Sequence, residues 1–136
     1  MTKRSVTKAD IGHKAESAAF AAADKKATDI VILDVSDQLV ITDYFIICSG
    51  SSNRQVRTIA EAVEENLRRK EKLKPLRREG EREARWVLLD YVDFVVHVFH
   101  HEDRDYYNLE RLWGDADIRR IEAEETDDEP AAAEAT

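Results

Sequence analysis

I-T-D-Y-F-I-I-C-S-G-S-S-N-R-Q-V, residues 41–56, carries a strand into a helix through a single turn. The apolar, β-branched run predicts a strand over Leu39–Cys48, most secure over Tyr44–Cys48. Gly50-Ser51-Ser52-Asn53 breaks it, and Ser52 with Gln55 forms an S-x-x-Q capping box that opens a helix. Val56, Ile59, Ala60, Val63 and Leu67 then fall at offsets 0, 3, 4, 7 and 11, one apolar helical face. Glu64 to Arg68 and Glu65 to Arg69 are oriented as supporting i,i+4 pairs. The helix frays by Lys72 and must stop before Pro75, because the residue preceding a proline is driven out of helical geometry.

Upstream, Ile30–Val35 (I-V-I-L-D-V) is a second short β-branched strand. Ser36–Gln38 supplies turn residues, and so short a link makes the two strands an antiparallel pair. Before them, T-K-A-D at Thr7 resembles a capping box, and Ile11, Ala15, Ala18, Ala19 and Ala22 form a narrow face suited to close packing on a sheet. Downstream, Leu76-Arg77-Arg78 is a candidate edge strand. Trp86–Asp90 and Phe94–Phe99 are strands joined tightly through Tyr91-Val92-Asp93. A last helix, capped by Asp103 or Asp105, is expected to reach Trp113 with Tyr106, Leu109 and Trp113 on one face. The order implies an α/β domain: a mixed sheet of about five strands with helices packed on it.

The chain has 136 residues and a net charge of −8. Seven of its 29 acids lie in Glu122–Thr136, which holds no base, so residues 1–121 carry 22 acids against 21 bases and are nearly neutral. This divides the chain into a loose N-terminus over residues 1–6, a domain over residues 7–121 and an acidic tail over residues 122–136, expected to be disordered. Cys48, the single cysteine, sits in an apolar run and reads as a buried thiol in a reducing compartment. With no apolar run of membrane-spanning length and no signal-like N-terminus, the expectation is a soluble cytoplasmic protein.

Five features carry candidate chemistry. Gly50, Ser51, Ser52 and Arg54 could cradle a phosphate at the helix start, but no Walker lysine or G-x-G-x-x-G accompanies them. A glycine-serine turn before a helix also occurs in nucleotidyltransferases, which need paired acids to hold Mg²⁺. Asp90 and Asp93 are spaced by three across a turn and should diverge. His97, His100 and His101 lack the spacing and cysteine companions of a zinc site, so no metal or other cofactor is expected. Arg68, Arg69, Lys70, Lys72, Lys74, Arg77 and Arg78 could touch RNA phosphates, or simply compensate the helix dipole.

The fifth feature is the stretch Trp86–Trp113. It holds seven of the ten aromatic residues and six acids, with only Arg104 and Arg111 as bases. If Val87, Leu89 and Tyr91 face one side of the strand, Trp86, Leu88 and Asp90 face the other, and both faces carry large apolar groups. Either helices cover both sides or one side docks a protein. Rings interleaved with carboxylates suit a basic partner.

Together these residues resemble the Iojap family, also called ribosomal silencing factors. The resemblance rests on D-I-V-I-L-D-V-S at Asp29–Ser36, the opening motif at Ile41–Val56, E-G at Glu79-Gly80, W-V-L-L-D-Y at Trp86–Tyr91, V-V-H-V-F at Val95–Phe99 and R-D-Y-Y-N-L-E-R-L-W at Arg104–Trp113. It spans roughly Thr7 to Ile121. It implies a nucleotidyltransferase-like fold without the catalytic acids, and a non-enzymatic protein. It implies binding to the large ribosomal subunit through ribosomal protein L-fourteen, with steric obstruction of small-subunit joining under starvation. Large-subunit assembly with peripheral rRNA contact, and a homodimeric free state, are further implications; neither DNA nor membrane is an expected partner. Carried over residue by residue, the partner-facing set is Trp86, Leu88, Asp90, Tyr91, Arg104, Tyr107 and Glu110. One position departs: Val92 stands where the family usually has glycine. Valine resists positive φ, so a type I turn is expected there.

Overall fold

The computed structural model describes residues 8–108, 111, 113, 114 and 116–121; the side chains of Lys8, Tyr106 and Tyr107 lie outside that description. The expected loose N-terminus over residues 1–6 and acidic tail over residues 122–136 lie outside it as well. The elements run α1 (Lys8–Asp24), β1 (Thr28–Asp34), β2 (Tyr44–Gly50), α2 (Asn53–Glu71), β3 (Arg77–Glu79), β4 (Trp86–Asp90), β5 (Phe94–His100), α3 (His101–Tyr107) and β6 (Asp117–Ile121). They form a mixed sheet of six strands in the order β3-β4-β5-β2-β1-β6. β2 and β5 pair in parallel, and the other four pairings are antiparallel.

The sheet gains a strand over expectation because β6 adds to the outside of β1, with Leu33 opposite Ile118. D-I-R-R-I is almost wholly exposed, so its pairing is set by the backbone and left little apolar signal. β2 begins at Tyr44 rather than Leu39 because a backbone turn intervenes. The amides of Gln38 and Leu39 donate to the Val35 carbonyl, and the Val35 amide donates to the Asp43 carbonyl. Leu39, Val40 and Ile41 are thereby withheld from the ladder.

α2 starts as its sequence dictates, with the Ser52 hydroxyl accepting from the Gln55 amide at 3.1 Å. It ends at Lys72 in a left-handed cap, three residues before Pro75. Of its two expected pairs, Glu65 with Arg69 forms and Glu64 with Arg68 does not. Glu65 takes both Arg68 and Arg69, and Glu64 turns to Arg78 on the neighbouring edge strand. α3 is capped by His100, whose side chain accepts from the Glu102 amide at 3.3 Å, so the expected Asp103 or Asp105 cap is replaced. Asp103 instead binds Arg85 at 2.7 Å. Nor does the helix run unbroken to Trp113. Asn108 closes it in a left-handed conformation, its amide donating to the Arg104 carbonyl.

The two faces of the sheet are covered differently. α1 and α2 seal one face with the alanine stripe of α1, the apolar face of α2, and Ile30, Ile32, Ile46, Cys48, Val87, Leu89, Val96 and Val98 from the strands. On the other face Val31, Leu33, Ile47 and Phe99 are roofed by Leu39, Trp113 and Ala116 from connecting segments. No helix among the described residues is long and apolar enough to cross a membrane.

Candidate protein-docking site

Strand register assembles the second face. Trp86 lies opposite Phe99, Leu88 opposite His97 and Asp90 opposite Val95. On the far side of β5, Val95 lies beside Phe45 and His97 beside Ile47. The alternation expected for β4 holds: Val87 and Leu89 are buried under the helices, while Trp86, Leu88 and Asp90 are half-buried on the face away from them. Around Phe45 and His97 this face opens into a groove of about 320 Å³. Leu39, Ile41, Leu76, Leu88, Val92 and Val95 give it apolar walls. At its mouth Ile41 is 79%, Leu76 68% and Val92 49% exposed, and the adjoining Val40 is wholly exposed. Contiguous apolar surface that a molecule leaves open to water marks a site of association.

The floor is aromatic and fixed. Phe45 meets His97 edge-on with ring centres 5.0 Å apart, and Trp86 stacks on Phe99 at 4.7 Å. The Trp86 indole N–H donates to His97 Nδ1 at 3.0 Å. Because an indole can only donate, this assignment leaves Nδ1 unprotonated and places the imidazole proton on Nε2. Burial pushes the His97 pKa down to about 4, so the ring is neutral at physiological pH. His97 Nε2 and the Thr42 hydroxyl are both buried without a hydrogen-bond partner.

The mouth is charged and its turn is strained. Asp90 bonds Arg77 at 3.0 Å through one oxygen and accepts the Val92 amide at 2.8 Å through the other. The Asp93 amide donates to the Tyr91 carbonyl at 2.8 Å around Val92, which sits at φ 73°. That is a γ-turn of the strained, positive-φ kind, and it replaces the expected type I turn. Left-handed geometry costs an L-residue about 1–2 kcal/mol, and a β-branched side chain resists it most. Flanking bonds impose it: the Tyr91 amide donates to the Phe94 carbonyl, and the Asp43 amide to the Asp93 carbonyl.

Two residues of the expected partner-facing set lie elsewhere. Tyr91 continues the Val87–Leu89 side of the strand and is 7% exposed under the helices, stacked on Phe94 with ring centres 5.0 Å apart. Burial raises its phenol pKa. Arg104 is also buried, donating to the Ser49 hydroxyl at 2.9 Å and so tying α3 to the end of β2. Trp86, Leu88 and Asp90 share the open face, whereas the Tyr107 side chain and Glu110 lie outside the described residues. Phe45, Val95, His97 and the walls Leu39, Ile41, Leu76 and Val92 are contributions the sequence reading missed. The signal available was an apolar Leu-Val-Ile triplet running directly into a strand already long enough.

The residues of the other candidate sites are placed as follows. At the Gly50–Arg54 turn the side-chain Oε1 of Gln55 accepts from the Ser51 amide and hydroxyl, and its Nε2 donates to the backbone carbonyls of Lys25 and Lys26. Gly50 packs closely, since a Cβ there would stand 3.1 Å from Val56. Asp90 is engaged as described, and Asp93 is exposed beyond the γ-turn. Among the described residues no group of three or more His, Cys, Asp or Glu is placed to hold a metal ion. In the basic run, Arg68, Arg69, Arg77 and Arg78 are each paired with an acid. Burial pushes the Cys48 thiol up to about 12, against the opposing pull of Arg104, which keeps it unreactive.

Comparison with known proteins agrees with this architecture. The family model described as ribosomal silencing factor during starvation (RsfS) matches residues 8–136. The ribosomal silencing factor RsfS of Bacillus subtilis is 46% identical over 105 residues, which cover 77% of this chain and 88% of the relative. A crystal structure of a Chromobacterium violaceum protein superposes with a TM-score of 0.73 at 38% identity, covering 76% of this chain and 86% of that one. A second, from Bacillus halodurans, gives 0.68 at 39% identity, covering 82% of this chain and 98% of that one.

Proposed function

The chain belongs to the ribosomal silencing factor family, and on that premise we propose that it binds the large ribosomal subunit through ribosomal protein L-fourteen and prevents the small subunit from joining. It acts as a steric block, without catalysis, and represses translation when nutrients fail. The single observation that carries this is the open apolar groove on the face of the sheet turned away from α1 and α2, built around Phe45, Leu88, Val95 and His97. An obligate core would have been closed over; a docking surface is left open, with its rings already locked before the partner arrives. The same reading has the free molecule as a cytoplasmic homodimer and gives it a part in large-subunit assembly. A nucleotidyltransferase-like scaffold turned to binding is consistent with an Asp90 already engaged by Arg77 and the Val92 amide.

Sucrose-gradient sedimentation of purified subunits tests the proposal. Excess wild-type protein is expected to hold the subunits apart. Ile41→Lys, at an exposed groove wall, sets a cation against a cationic partner without disturbing the fold, and is expected to lose the effect at least about tenfold. Joining that proceeds unchanged with wild-type protein present would refute it.

A further inference from the structure

The turn between β4 and β5 holds a contradiction that folding alone does not resolve. A valine occupies a left-handed γ-turn, φ 73°, where glycine or asparagine would be at ease. Its side chain does not repay that strain by entering the core, for Val92 remains 49% exposed and lines the mouth of the groove. A strained backbone held in place by several hydrogen bonds is a reason to look for a function at that position. The function available to an isopropyl group at a groove mouth is contact with whatever enters.

We propose that Val92 is a specificity-determining contact of the docking groove: it packs against an aliphatic or aromatic side chain that a cationic large-subunit protein inserts beside Phe45 and Leu88. This rests on the ribosome-binding reading and sharpens it. The walls select an apolar side chain, since Leu39, Ile41, Leu88, Val92 and Val95 surround it and Asp90 is already bonded to Arg77. The surroundings select a cationic carrier. Asp43 and Asp93 lie next in sequence to the lining residues Thr42 and Val92 and are joined through their backbones, and neither is in an ion pair among the described residues. Their carboxylates would meet Lys or Arg flanking the inserted group. The valine is thus held in a costly conformation in the free protein and recovers that cost only in the complex.

The prediction separates stability from binding. Val92→Asn relieves the backbone and removes the apolar contact. The variant is expected to melt a few degrees higher than wild type while binding purified large subunits about tenfold or more weakly, measured by equilibrium sedimentation of labelled protein. Val92→Gly, which relieves the backbone fully, is expected to weaken binding in the same way. Wild-type affinity in both variants overturns the inference while leaving the ribosome-binding reading intact, whereas failure of wild-type protein to bind large subunits overturns both. A groove filled by a second copy of this chain would show instead as lost self-association with ribosome binding unchanged, and that result also overturns it.

Discussion

His97 shows how one side chain serves both core and site. Its Nδ1 holds the Trp86 indole, and its ring forms the floor of the groove. Its folded-state pKa, lowered by burial to about 4 from 6.5, makes it a proton-linked element of stability. The unfolded chain takes up the proton more readily, so the stabilisation is fully present above pH 6.5 and is lost as pH falls through about 4. The loss amounts to about 3 kcal/mol. Urea denaturation of wild type against His97→Asn at pH 7 and at pH 4 measures it. Asparagine can still accept from Trp86 but does not titrate, so its stability should fall less. At this scale the strand alternation was a sound guide. It set Tyr91 with Val87 and Leu89, on the side the structure buries, whereas the family motif had grouped Tyr91 with the partner-facing residues. Arg104 offered no comparable clue, because the Ser49 hydroxyl that receives it lies fifty-five positions away in sequence.

Elements were legible where local chemistry set their limits and obscure where only pairing did. The Ser52 cap and the apolar stripe of α2 fix that helix from sequence alone. β6 depends on the edge of β1, and the true start of β2 depends on the backbone turn from Val35 to Asp43, neither of which has a composition of its own. The link from β3 to β4 carries its own constraint at Gly80. Its φ is 86°, and a Cβ would stand 2.0 Å from the Trp86 carbonyl oxygen. Gly80→Ala must therefore shift the first residue of β4, and it is expected to cost at least about 2 kcal/mol from the clash and the left-handed backbone together. Chemical denaturation reads that cost. Loss of the Trp86–His97 bond, visible as a red-shifted tryptophan emission, would mark the displaced strand.

For the whole molecule, charge and topology act together. Most of the net charge of −8 lies in residues 122–136, and on the proposed reading that acidic stretch should accelerate encounter with a cationic ribosomal protein, so the association rate with large subunits is expected to fall about tenfold between low salt and 0.5 M salt. Stopped-flow fluorescence would record it, with dissociation changing much less. The groove also draws its lining from the segment before β2, from β3 and its approach, from β4 and from β5. The part built by β3, β4 and β5 comes from pairings between neighbours in sequence, whereas Leu39, Ile41, Thr42 and Phe45 join it through the long-range parallel pairing of β2 with β5. A chain in which β2 has not yet paired with β5 therefore lacks one wall of the surface. On the proposed reading, competence to engage a ribosome arrives with that one pairing and vanishes with it, so the cell's dose counts only folded copies.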